Sequence, residues 1–444
     1  MMIDKKSLSL YRFTSWNLLS KTKNMVMKKI YLLMVSLMAG GLACTQTTGK
    51  TETEADEGQS PFYIKIEKPD IGSLTPLFLS EIVEKIDYVQ LETLDQCLLP
   101  PNISTRLTKD FIFVRSGRKL YQFEKDGKFI RQIGREGQGP GEYQLDKYSV
   151  DDANNRILVV SFTNSTPLIF DYEGKYLGKV TDSLISTYYG GWEHFNVDDS
   201  YFIYTTSPMD VNFQKERGRG SNELVVYDYI NNEITQTLPN RYVCEVRDKM
   251  FEINMNPSLQ SLTKHDGIFY YHSFYNDTLY AVSKNNIQPY AIIDFGKYKY
   301  DNIAFNSPNL NDLEDAEAGK MRIVDIFFHH DAIYFRIYLH DQSSNAKSFI
   351  CKYEISSKQL TYHSSWLIND IDGCQNIRIP DLVNTIVNAM NPEDITDMKY
   401  RELLFSTLDK SKLKYPEQKE KFQRMLKENI EKEDNPILMI LHGK

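Results

Sequence analysis

The stretch from Phe111 to Tyr143, FIFVRSGRKLYQFEKDGKFIRQIGREGQGPGEY, decides the fold. It reads as consecutive β-strands joined by polar turns, closed by a loop with four glycines in eight residues. Looser copies of it recur downstream, and a repeat of this spacing signals a propeller or solenoid. The anchor is an aromatic-ended strand, a Gly-Lys turn and a second aromatic. It appears as FEKDGKF at 123–129 and again as FDYEGKY at 170–176. Gly127 and Gly174 stand 47 residues apart, where a tight hairpin needs positive φ.

Weaker copies follow at 222–238, 267–296 and 332–367, with Asn-Asn or Ser-Ser replacing Gly-Lys in the turn. The aromatic anchors are Phe123, Phe170, Tyr227, Tyr280 and Tyr353, separated by 47, 57, 53 and 73 residues. Those separations fit four-stranded blades with loop insertions, and they give five blades. An open array of five would leave a raw sheet edge. Strand-like material remains at both ends, in YVQLET near residue 88 and NPILMILHGK at 435–444. The expected fold is therefore all-β: a six-bladed β-propeller over 61–444, its sixth blade completed by N- and C-terminal strands. Residues 381–433 read as a C-terminal helical insertion. Pro416 suits a first helical turn, and Phe422, Met425, Leu426 and Ile430 share one face.

The first 43 residues do not read as folded domain. Met27-Lys28-Lys29, an apolar run from Ile30 to Ala39, and Gly40-Gly41-Leu42-Ala43-Cys44 describe a basic, apolar and small-residue signal peptide. The run is too short to span a membrane, which takes about 20 residues. A cysteine at the cleavage point makes Cys44 the expected lipidation site, although Gly41 stands where lipoprotein signals usually carry Leu. A free or disulfide-bonded cysteine beside an ordinary secretory site is the alternative. With a signal of this form the expected translation start is Met25 or Met27. Residues 44–60 form an acidic tether with no large apolar side chain.

Up to Ala43 there are seven Lys/Arg and one acid, leaving 45 basic against 59 acidic groups, a net charge near −14. That balance argues against nucleic acid as a partner. Cys97, Cys244, Cys351 and Cys374 match no zinc or redox spacing, and both disulfides and free buried thiols fit them.

The chain resembles the six-bladed β-propeller lipoproteins of Gram-negative bacteria, which are related to NHL-repeat and TolB-like propellers. The resemblance rests on VQLETLDQCLL at 89–99, LYQFEKDGKFIRQIGREGQGPGEY at 120–143, YNDTLYAV at 275–282 and DNPILMI at 434–440. It implies the fold and an outer-membrane location, facing the periplasm or the cell surface. It implies no activity and no catalytic residue.

No linear motif supplies chemistry. Gly134, Gly137, Gly139 and Gly141 would suit a phosphate loop only if a helix opened behind them, but Pro140 interrupts the run and strands flank it. They read instead as structural turns of an inter-blade connection, together with Gly127 and Gly174. His329 and His330 are expected on opposite faces of a strand, too divergent to share a metal. No Gly-x-Ser-x-Gly elbow, sialidase-type repeat or HExxH is present. Tyr270, Tyr271, Phe274 and Tyr275 read as blade packing, with a glycan-stacking platform as the alternative. Trp192 beside Gly190-Gly191 reads as buried, with ligand contact as the alternative. The expectation is a monomeric, membrane-anchored binding or scaffolding propeller with a protein, peptide or glycan ligand and no cofactor. The alternative is a propeller hydrolase or lyase with a calcium ion in the central channel.

Overall fold

Near-continuous apolar runs, such as Phe111–Val114, Ile157–Val160 and Leu224–Tyr227, give the middle strands two buried faces, and six packed sheets are the result. The computed structural model describes residues 61–100, 103–161, 164–180, 192–206, 222–239, 260–273, 276–299, 318–340, 347–377, 387–390, 392, 408–428, 430–431 and 433–444. Residues 1–60, with the expected signal segment, Cys44 and the expected tether, lie outside these residues, as do Cys244, Gly190, Gly191, Phe274 and Tyr275.

Three N-terminal strands come first: β1 (Phe62–Lys65), β2 (Thr75–Phe78) and β3 (Val83–Gln90). Blade I is β4 (Ile103–Leu107), β5 (Phe111–Ser116), β6 (Lys119–Glu124) and β7 (Phe129–Gln132). The short pair β8 (Arg135–Glu136) and β9 (Glu142–Tyr143) carries the chain onward. Blade II is β10 (Leu145–Asp151), β11 (Arg156–Ser161), β12 (Asn164–Asp171) and β13 (Tyr176–Lys179). Blade III is β14 (Trp192–Asp198), β15 (Tyr201–Thr206), β16 (Asn222–Asp228) and β17 (Glu233–Pro239). Blade IV is β18 (Gln260–His265), β19 (Ile268–Ser273), β20 (Thr278–Ser283) and β21 (Asn286–Asp294). Blade V is β22 (Met321–His329), β23 (Ala332–Leu339), β24 (Lys347–Glu354) and β25 (Leu360–Ile368). Blade VI joins β26 (Val387–Met390), β27 (Ile437–Gly443) and β3. Helix α1 (Pro416–Glu428) precedes β27.

All five aromatic anchors fall on the third strand of their blades, and each is buried. Neighbouring residues on a strand point to opposite faces, so one strand serves two cores. On β5, Phe113 packs towards blade II, while Ile112 and Val114 pack towards blade VI. On β15, Phe202 and Tyr204 meet blade II, while Tyr201 and Ile203 meet blade IV. Six apolar clusters result, one between each pair of adjacent blades, and the last joins blade VI to blade I through Leu438, Ile440, Ile112 and Phe123. The ring is closed as the terminal strands foretell: β27 lies antiparallel to β3, with Leu438 opposite Val89.

The N-terminal segment does more than complete blade VI. β1 adds a fifth, parallel strand to blade IV beside β21, and β2 does the same for blade V beside β25. Ile64, Ile66, Leu77 and Leu79 are buried by this belt.

The 381–433 segment differs in part from its helical reading. Val387–Met390 is a strand, with Met390 opposite Ile437, because blade VI needs an inner strand beside β27. The helix beginning at Pro416 does form. Phe422 and Leu426 are buried against blade VI, with Met425 and Ile430 partly so, and Phe422 stacks on Tyr88 at 3.9 Å. Cys97, Cys351 and Cys374 are free and buried. Among the described residues no helix is long and apolar enough to cross a membrane.

Candidate functional site

The glycine-rich loop joins blade I to blade II and folds around one of its own side chains. The Glu142 carboxylate accepts from the backbone N–H of Gln138 at 3.1 Å and of Gly139 at 2.9 Å, and pairs with Arg135 at 2.7 Å. The Gly139 N–H holds the Glu142 pKa below its ordinary value. Backbone N–H groups that could cradle an anion are thus occupied by the chain's own carboxylate. Gly134 and Gly141 have positive φ, of 60° and 75°, as do Gly127 at 92° and Gly174 at 81°; Gly137 and Gly139 do not. Gly134 has a second constraint: a Cβ there would lie 2.7 Å from the Tyr143 ring. Tyr143 is itself fixed edge-on to Phe170 and donates to the Ile133 carbonyl.

The inner strands β4, β10, β14, β18 and β22 converge on a cavity of about 500 Å³, lined by residues from five blades at the ends where these strands turn. Its size lies within the roughly 300–1,000 Å³ of small-ligand sites. The walls are held by inter-blade hydrogen bonds. The Ser149 hydroxyl of β10 accepts from the Val197 N–H of β14 at 2.9 Å, and Ser261 of β18 accepts from Ile326 of β22 at 3.2 Å. Each is a short side chain bridging one inner strand to the next. Asp151, 1% exposed, accepts from Asn154 in its own turn, from the Ser200 N–H at 3.1 Å and from the Tyr229 hydroxyl, both in blade III.

At the rim, Asp152 accepts from the Lys109 N–H at 3.0 Å and the Tyr172 hydroxyl at 2.9 Å. Burial, and then Asp152, push the Tyr172 phenol well above its ordinary pKa. Lys264 of blade IV pairs with Asp198 of blade III at 2.6 Å and lies over the Phe269 ring. Arg106 donates to the Thr105 carbonyl at 3.2 Å, and Phe327 adds an aromatic wall. The arrangement offers cationic donors (Arg106, Lys264) and carboxylate acceptors (Asp152, Asp198) beside aromatic faces, and among the described residues it pairs no nucleophile with a base. Among the described residues no three His, Cys, Asp or Glu side chains gather as a metal site.

The histidine pair corrects one expectation. The His329 and His330 rings lie 4.1 Å apart, because His330 takes a φ of 49° in the turn after β22 and strand alternation no longer separates them. Burial, then His330, lowers the His329 pKa to about 4. Tyr270 and Tyr271 are buried in two different inter-blade cores. Trp192 opens β14, but its side chain is outside the described residues. None of the rim residues was singled out from the sequence. The one available signal was the polar end of each inner strand, such as YSVDD at 148–152 and LTKHD at 262–266, which recurs at blade spacing.

One known structure agrees in fold with the ring. A protein from Bacteroides fragilis described as exported aligns with a TM-score of 0.54 at 16% identity, covering 86% of this chain and 99% of that one. A member of the DUF4221 family from Bacteroides vulgatus aligns with a TM-score of 0.43 at 9% identity, covering 82% and 97%. At such identity the first likeness speaks to the fold alone. No curated protein sequence matches. One family model does match, over residues 61–442, running from before β1 into β27 and so through every blade. The chain belongs to that family, described as Domain of unknown function (DUF4934).

Proposed function

We propose that the propeller is a binding or scaffolding domain of the cell envelope, held to the outer membrane by a lipid on Cys44. Its ligand, a protein, peptide or glycan, enters the mouth of the channel. The observation that carries this reading is the cavity of about 500 Å³ whose wall is shared by five blades. A pocket assembled from so many repeats, with Arg106 and Phe327 facing into it, suits recognition by shape and hydrogen bonding. The family match and the exported Bacteroides fragilis protein are compatible with an envelope location.

Two measurements test it. Radiolabelled palmitate should label the wild type and not Cys44→Ser; equal labelling refutes the anchor. Partners captured from native membranes by the wild type should be lost from an Arg106→Glu/Phe327→Ala variant that melts at the wild-type temperature. Undiminished capture by that variant removes the channel mouth from consideration.

A further inference from the structure

A second groove, of about 550 Å³, runs between α1 and β3 on the opposite flank of blade VI from blade I. We propose that it is a separate ligand site, built for an anionic amphiphile: an apolar body carrying a carboxylate, sulfonate or phosphate head.

The floor is apolar and rigid. Tyr88 and Phe422 stack at 3.9 Å with 18° between their planes, and Met425 extends the surface one turn along the helix. The Tyr88 hydroxyl donates to buried Asp372 at 2.7 Å, so the ring is pinned and its polar end is already satisfied. Phe422 is itself buried, so the surface a ligand meets is the open side of Tyr88 with partly buried Met425, and this suits an extended apolar body.

The rim is cationic. Lys85 and Asp87 offset each other at 2.8 Å, and Asp87 also meets His442 at 2.8 Å. Lys421 and Arg424 remain, exposed, three residues apart on one helix face. Among the described residues neither forms a close ion pair; Glu420, within electrostatic reach of Arg424, is paired instead with Lys410 at 2.7 Å. Two such cations over an apolar floor stand out on a chain whose formal net charge is −8. Their spacing suits one anionic head gripped from both sides, Arg424 offering its planar fork and Lys421 a point charge.

The backbone argues for a compact ligand rather than a peptide strand. β3 is the outermost described strand of blade VI, which would invite strand addition. Ile86 in its middle is only 3% exposed, however, and the Lys414 ammonium already donates to the Glu84 carbonyl. The edge is covered where an added strand would need it open. Only the side-chain surface above it is free.

Anilinonaphthalene sulfonate, an anionic aromatic amphiphile, probes the site on the purified protein, with uncharged phenylnaphthylamine as its counterpart. Saturable sulfonate binding is expected. A Lys421→Glu/Arg424→Glu variant should weaken it about tenfold or more, since two attractive contacts become repulsive. Phenylnaphthylamine binding should change little in that variant and fall in Met425→Asp. Arg106→Glu, at the channel mouth, should leave both probes unaffected. The source of the natural head group is separated by competition. Displacement by dodecanoate points to a free fatty carboxylate, and displacement only by phosphatidylglycerol vesicles points to membrane lipid. Equal sulfonate affinity in the charge-reversed and wild-type proteins overturns the proposal, as does displacement by neither competitor.

Discussion

Blades I to III and blades IV to VI are made in different ways. Each of the first three takes all its strands from one stretch of chain, hairpin after hairpin. Each of the last three borrows from the N-terminal belt: β1 for blade IV, β2 for blade V and β3 for blade VI. The first half is specified locally, by turns and alternation. The second depends on pairings between residues hundreds of positions apart, such as Val89 with Leu438. The belt also moves the outer edge of blades IV and V from the nine-residue β21 and β25 to the four-residue β1 and β2, and a short edge strand is a poorer template for other chains.

The histidines follow the same division. Buried His272 and partly buried His329, His340 and His363, whose pKa values burial lowers, all belong to blades IV and V. Among the described residues, acid is therefore expected to act mainly on the borrowed half.

Several perturbations would break or sharpen this contrast. The largest effect is expected from removing residues 436–444. Without β27, blades V and I lose their shared neighbour, and the cooperative unfolding transition followed by circular dichroism should disappear. A truncated chain that still melts in one sharp step would show that closure is dispensable. Next comes Leu77→Ala in the belt, at a fully buried site, which should cost about 2–5 kcal/mol in denaturant unfolding. An outcome below the usual surface value of about 0.5 kcal/mol would mean the belt is decorative.

Acid should act on blade IV through His272, which is buried and has a pKa near 4 in the folded protein against 6.5 unexposed to that burial. Above pH 6.5 the imidazole is neutral folded or unfolded and costs nothing. As pH falls from 6.5 towards 4 only the unfolded chain gains the proton, so stability declines by about 3 kcal/mol and then levels off. His272→Gln should flatten that decline; an unchanged slope would assign the acid response elsewhere. A smaller loss, about 1–3 kcal/mol, is expected for Gly127→Ala, where a left-handed φ of 92° combines with a Cβ placed 2.1 Å from the Gln90 carbonyl. Gly267→Ala, with positive φ but open space around it, should cost less. The smallest effect belongs to Lys264→Ala, an exposed pair with Asp198, at about 0.2–1 kcal/mol.

What the sequence made legible follows the same line between local and distant. The aromatic anchors, the Gly-Lys and Asn-Asn turns and the Pro416 helix are local signals, and each is found where its pattern places it. Closure by the termini was legible because Ile437–Leu441 is too apolar for a free tail. β2 and β26 were not. Four residues with no alternation become strands only because a neighbouring edge awaits them, and tertiary context overrides propensity there. The channel rim was hidden for a related reason. Ser149, Ser261 and Asp151 acquire their partners from the next blade, and no spacing along one chain announces a partner that arrives in space. The Glu142 carboxylate in its own glycine loop was a nearer miss. In sequence the four glycines resemble an open cradle, but the side chain three residues after Gly139 fills it.

The pairing of β3 with β27 has one more consequence, for the moment of synthesis. The ring is completed only when Ile437–Gly443 are made, and β3, made long before them, must wait. Until they arrive the blades can form hairpins but the last two inter-blade cores stay open to water and proteases. A chain that stops short of Ile437 lacks β27 and leaves Leu438 and Ile440 missing from the core against blade I.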